Sequence, residues 1–275
     1  MEIELAKSYG FCFGVKRAIK QAERTKDAAT IGPLIHNNDE IKRLKDDFNV
    51  NTLSDITELS DEKKAIIRTH GITKQDLEVL KNSGRKIIDA TCPFVKKPQE
   101  IVEKMSQEGY EIVIFGDSNH PEVKGVRSYA TTNNYVVLDE SELFNIKLKS
   151  KVALISQTTK KVEKFIEIAN YLMQRVKEVR VFNTICDATF KNQEAIKTLA
   201  IKSDVIVIVG GKNSSNTKQL FLIAKEHCVD SYLIENENEL DYKWFLGKKK
   251  CGISAGASTP NWIIDKVVEK IKNFT

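Results

Sequence analysis

A chain of 275 residues, 41% hydrophobic and 29% charged, has the composition of a soluble globular protein with room for one large domain or two to three small ones. Its net charge of +5, from 43 basic and 38 acidic residues, is too weak a bias for a nucleic-acid-binding domain, and no aromatic–basic or zinc-finger motif accompanies it. The start, "MEIELAKSYGFCFG", is too charged for a signal peptide, and the longest apolar run, "VIVIV", is too short to span a bilayer; a cytoplasmic protein without membrane contact is expected, whose five cysteines are thiols or metal ligands.

In chain order, apolar runs that read as strands alternate with amphipathic stretches that read as helices. "EIEL" precedes the helical "VKRAIKQAERTK". "AAT", "AIIR" and "KIID" follow, then the stretch after Cys92, in which Pro98 predicts a late helix start or a kink. "EIVIF", "YVVL" and "KVALIS" lead to "VEKFIEIANYLMQRV", where Val162, Phe165, Ile166, Ala169 and Leu172 recur at helical spacing and predict a core-facing stripe. "VIVIVG", "SYLI" and "CGIS" lead to the last helix, "PNWIIDKVVEKIKNF". Such alternation predicts an α/β protein with parallel sheets and helices on both faces.

Cys12, Cys92 and Cys186 lie 80 and 94 residues apart, each just before a helical stretch. A setting repeated at domain-sized spacing predicts three α/β units, at 13–92, 93–188 and 189–275, with the N-terminal strand of 1–12 joined to the third.

Ligands of open α/β sheets bind beyond the carboxyl ends of the strands, so the loops there deserve a census. They carry His36, His70, His120 with Glu122, Gln157 with Thr158, then Ser214, Ser215 and Asn216, and finally Ser258. Any one hydroxyl or amide before a helix is ordinarily an N-cap, and a single histidine is ordinarily structural. Together, polar groups and backbone N–H groups at several helix starts make an anion site. The spacings of a Walker A loop and of a nicotinamide-binding glycine motif are absent, which favours a phosphate or diphosphate over a nucleotide. These loops contain few lysines or arginines, so the anion is expected to be held mostly by neutral donors and histidines, with Lys212, beside "NSSN", the candidate exception.

Cys228 and Cys251 read as buried small hydrophobes. Cys12, flanked by phenylalanines and glycines, and Cys92, before Pro93, do not fit that reading. Three thiolates at helix starts suit zinc with a fourth ligand or an iron–sulfur cube with one open iron, and spacing does not choose between them.

Seven motifs, "GFCFGVKRAI", "THG", "DATCPFVKK", "GDSNHPEVKG", "SQTT", "GGKNSSNT" and "SAGAS", stand in one order across the chain. In this the sequence resembles the family of 4-hydroxy-3-methylbut-2-enyl diphosphate reductases of the methylerythritol phosphate route to isoprenoids. The resemblance implies three small α/β sandwiches in a pseudo-threefold trefoil around one 4Fe-4S cluster per chain. It implies reductive dehydration of the allylic alcohol diphosphate to isopentenyl and dimethylallyl diphosphates, with the fourth iron binding the substrate hydroxyl. Matched motif by motif, Cys12, Cys92 and Cys186 are the implied cluster ligands. His36, His70, Ser214, Ser215, Asn216 and Ser258 are the implied diphosphate contacts. His120, Glu122 and Thr158 are implied at the reacting end, with Glu122 as proton source. A ferredoxin or flavodoxin is the implied electron donor. The rivals are a three-cysteine iron–sulfur enzyme of similar architecture with another substrate, resembling quinolinate synthase, a zinc-dependent phosphoesterase, and a non-catalytic phospholigand-binding protein.

Overall fold

The structure, a computed structural model, describes residues 1–59 and 63–274. In chain order its elements are β1 (Glu2–Leu5), α1 (Phe13–Thr25), β2 (Ala28–Ile31), α2 (Asn38–Phe48), β3 (Val50–Leu53), β4 (Lys64–Ile67), α3 (Lys74–Asn82) and β5 (Lys86–Asp89). Then come α4 (Pro93–Gln107), β6 (Glu111–Phe115), α5 (Pro121–Arg127), β7 (Asn134–Val137), β8 (Lys151–Ser156), α6 (Val162–Arg175) and β9 (Glu178–Val181). The last are α7 (Asp187–Ala200), β10 (Val205–Val209), α8 (Ser215–His227), β11 (Ser231–Ile234), β12 (Lys250–Ala255) and α9 (Asn261–Lys272).

The strands form three four-stranded sheets, ordered β3-β2-β4-β5, β7-β6-β8-β9 and β11-β10-β12-β1. Every ladder is parallel. The three orders are one topology, with β1 taking in the third sheet the outer place that β5 and β9 take in the others. Two compact units hold them. One, made of Met1–Lys16, Ile35–Asp46 and Asp187–Thr275, contains the sheet of β10; the other, made of Arg17–Leu34 and Asp47–Cys186, contains the other two.

Central strands are apolar throughout because helices cover both faces. On β10, Val205, Val207 and Val209 pack with Ile263, Ile264 and Val267 of α9. The alternate residues Ile206 and Ile208 pack with Ile196 and Leu199 of α7 and Leu220 of α8. The sheet of β6 repeats this arrangement, Val113 and Phe115 facing α6 while Ile112 and Ile114 face α4 and α5. Each such buried aliphatic side chain contributes about 1.5–3 kcal/mol.

Three local expectations are revised. The buried face of α6 is Phe165, Ile168, Ala169 and Leu172, while Ile166 is 51% exposed, since the residue after a core position is turned about 100° away. Helix α4 starts at Pro93, and Pro98 lies buried inside it. Its missing N–H removes only the bond to the carbonyl four residues back, early in a helix anchored by its buried face. Strands β3 and β9 are additions; both are outer strands with partly exposed, polar sequences that carry no apolar run.

Candidate active site

In all three sheets the cysteine of interest occupies one recurrent place. The outer strand runs on past its ladder, and the cysteine amide donates to a carbonyl in the loop after the neighbouring strand. Cys92, beyond β5, bonds the Thr69 carbonyl at 3.0 Å; Cys186, beyond β9, bonds that of Thr158 at 3.0 Å; Cys12, beyond β1, bonds that of Ala257 at 3.2 Å. Each cysteine then leads directly into a helix, α4, α7 or α1. These three are half-buried, whereas Cys228 and Cys251 are buried. Burial pushes the Cys251 thiol up to about 12, so it holds its proton and is a poor ligand.

The second unit gathers six of the expected residues, Cys92, Cys186, His70, His120, Glu122 and Thr158. Glu122, in the first turn of α5, is 2% exposed. One of its carboxylate oxygens accepts from the Thr158 N–H and the other from the Thr158 hydroxyl, each at 2.7 Å. The carbonyl of the same threonine takes the Cys186 amide. His120 caps α5, its Nδ1 accepting from the Glu122 N–H at 3.2 Å. An accepting Nδ1 places the proton of the neutral ring on Nε2. The His70 ring meets the His120 ring edge-on, centroids 5.3 Å apart. Burial pushes the Glu122 carboxyl above its usual range, against the weaker downward pull of the Thr158 bonds and the Lys160 charge.

The first unit holds Cys12, His36, Ser214, Ser215, Asn216 and Ser258. The Ser258 hydroxyl donates to the His36 carbonyl at 3.3 Å. A Cβ on Gly211 would stand 2.4 Å from that same oxygen, so only glycine lets the "GGKNSSN" loop approach the His36 backbone. Ser214 caps α8, accepting from the Thr217 N–H at 3.4 Å, and Ser215 is the first residue of that helix. Asn216 is 4% exposed, and both polar atoms of its side chain lack a hydrogen-bond partner among the described residues. Such a buried group costs about 1–3 kcal/mol unless a ligand engages it. Lys212 is 54% exposed, and its ammonium pairs with Glu239 at 2.8 Å.

Sequence reasoning missed Lys160, a burial-depressed cation whose charge acts on Glu122. Its only signal is its place two residues after Thr158. It also missed Arg17, although that residue stands inside the Cys12 motif.

The family model described as LytB protein matches residues 3–272. The chain belongs to the LytB family. Among LytB relatives, the Campylobacter lari protein named 4-hydroxy-3-methylbut-2-enyl diphosphate reductase is 76% identical over 275 residues, covering 100% of this chain and 99% of that one. The Campylobacter concisus protein of the same name is 72% identical, covering 99% of each. A solved structure of (E)-4-hydroxy-3-methyl-but-2-enyl diphosphate reductase, the terminal enzyme of the non-mevalonate pathway, is similar at 43% identity with a TM-score of 0.73, covering 99% of this chain and all of that one. The Plasmodium falciparum E-1-hydroxy-2-methyl-but-2-enyl-4-diphosphate reductase has 27% identity and a TM-score of 0.90, covering 98% of this chain and 87% of that one. As a LytB protein the chain is an oxidoreductase, and the family implies an iron–sulfur cofactor. The residues present fit that group: three half-buried cysteines, none in a disulfide, each at the start of a helix and in the same place relative to its sheet. Among the described residues no helix is long and apolar enough to cross a membrane.

Proposed function

We propose that the protein converts 4-hydroxy-3-methylbut-2-enyl diphosphate to isopentenyl and dimethylallyl diphosphates by reductive dehydration. Two electrons and two protons enter, the allylic C–O bond breaks, a C–H bond forms and water leaves. The observation that carries this reading is the 76% identity, end to end, to a relative named for that reductase.

Cys12, Cys92 and Cys186 would hold a single 4Fe-4S cluster, which when bound would supply the electrons and Lewis acidity for the departure of the hydroxyl. The chain's own residues do the rest. Ser214, Ser215, Asn216, Ser258, His36 and His70 bind the diphosphate through hydrogen bonds, with the buried Asn216 amide as a fixed donor. His120, its proton on Nε2, orients the substrate hydroxyl. Glu122 donates the proton: burial keeps its carboxyl protonated further toward neutral pH than an ordinary glutamate. After transfer the two Thr158 donors stabilise the carboxylate, and the Thr158 hydroxyl is placed to relay the proton. The electrons come from a ferredoxin or flavodoxin in the cytoplasm. Division into domains at 92 and 188 belongs to the same proposal.

The test is turnover under anaerobic conditions with a chemical reductant. Disappearance of the allylic alcohol diphosphate with formation of both five-carbon diphosphates is the expected result. Reduced, iron-loaded protein that leaves the substrate intact would overturn the proposal.

A further inference from the structure

Strand β5 lies at the edge of its sheet, so outward carbonyls near its end need donors from elsewhere. Arg17 of α1 supplies them. Its Nη2 donates to the Asp89 carbonyl at 3.2 Å and its Nη1 to the Thr91 carbonyl at 3.1 Å. The Thr91 carbonyl belongs to the peptide unit whose N–H is that of Cys92, and this N–H donates to Thr69 at 3.0 Å. One planar peptide is therefore held at both ends. The Thr91 N–H is taken by the Asp89 carboxylate at 2.9 Å. The Cys92 carbonyl accepts from the N–H groups of Val95 and Lys96 at 2.8 and 3.0 Å. Every backbone polar group from Thr91 to Cys92 is engaged, which leaves χ1 as the main freedom of the thiol.

The charge at this turn is also unusual. The Asp89 carboxylate pairs with Lys96 at 2.5 Å, and Arg17 makes no ion pair among the described residues. Its guanidinium faces two neutral carbonyls instead. We infer that Arg17 is a positioning residue: it aims Cys92 as a ligand and lays an uncompensated positive charge beside it that favours the reduced state. This rests on the reading of Cys92 as a cluster ligand. Groups that orient ligands and charges near a cluster tune both retention and reduction potential. A lysine would keep the charge but has one nitrogen where two reach two carbonyls.

The experiment compares anaerobically purified parent, Arg17→Gln, Arg17→Lys and, as a control on the same helix, Arg24→Gln. It reads hydrogen exchange at the Cys92 amide, the rate of iron loss to a chelator and the cluster midpoint potential. Arg17→Gln should exchange and lose iron about tenfold faster, the scale of one charge-assisted hydrogen bond, with a more negative potential. Arg17→Lys should share the faster exchange and iron loss but hold the parent potential, and Arg24→Gln should match the parent throughout. Parent-like exchange and iron loss in both Arg17 variants would overturn the clamp; an unchanged potential in Arg17→Gln would overturn the role of the charge. If Arg17→Gln does not fold, Arg17→Lys decides the clamp alone. A parent without iron would instead overturn the ligand reading of Cys92, and the exchange rates would still decide the clamp.

Discussion

The loops beyond the second sheet and those beyond the third treat their polar groups in opposite ways. In the second sheet, Glu122 has both oxygens engaged by Thr158, and His120 is engaged by the backbone of Glu122 itself. In the third, Asn216 is as deeply buried, yet neither end of its amide has a partner among the described residues. A group that moves a proton must be held in a set geometry with a tuned pKa, and internal bonds do both. A group that recognises a ligand must keep its hydrogen-bonding capacity for that ligand, and carries a desolvation cost until it arrives. Under the proposed function, the difference corresponds to a division of labour between Glu122 as proton donor beside the second sheet and Asn216 as ligand contact beside the third.

The sharpest way to break that division is Glu122→Gln. The variant should fold, keep its cofactor and bind substrate, while single turnover of pre-reduced protein falls by ~10²–10⁴. Turnover within a few-fold of the parent would move the proton source elsewhere. Next in size is Asn216→Ala, which should weaken substrate binding roughly ten- to a hundredfold, as loss of a charge-assisted hydrogen bond does. Its thermal unfolding without substrate should be unchanged or slightly raised, because the deleted amide has no internal partner to lose. Loss of stability equal to the loss of binding would make Asn216 structural.

Ser214→Ala separates capping from recognition within one loop. Ser214 accepts from the Thr217 N–H, so its removal should cost about 1 kcal/mol of stability by denaturation without substrate, and more with substrate present, because the proposed diphosphate contact is lost as well. The smallest effect is one of pH. A carboxyl raised by burial contributes stability that is full below the ordinary glutamate value of 4.5 and is lost as pH rises through its raised folded value. Parent stability should therefore fall over that interval while Glu122→Gln stays flatter; parallel curves would show that Glu122 ionises in the folded chain as in the unfolded one.

Where sequence was legible, the pattern was local. "EIVIF" and "KVALIS" coincide with the central strands β6 and β8, because a strand covered on both faces must be apolar along its length, and the short apolar runs in "KIID" and "SYLI" mark the outer strands β5 and β11. "VNTL" and "EVRV" form edge strands whose ladders depend on a neighbour, and nothing in their own composition announces it. The site divides the same way. Loops at strand ends marked Glu122 and Thr158 as candidates, but their pairing joins residues 36 apart in sequence. Arg17 reaches a carbonyl 74 residues away. Lys212 adjoins the anion-binding loop, and its partner Glu239 comes from a separate segment after β11. Such pairings arise from topology, which a single sequence does not spell out residue by residue.

The central claim is that three helix-start cysteines hold one iron–sulfur cluster, and its most direct measurement is iron and acid-labile sulfide in protein purified without oxygen. The parent should be brown, with about four of each per chain. Cys12→Ser, Cys92→Ser and Cys186→Ser should each lose or destabilise that content, while Cys228→Ser and Cys251→Ser keep it. A colourless zinc protein, or equal loss of iron and sulfide from a folded Cys251→Ser variant, would contradict the account.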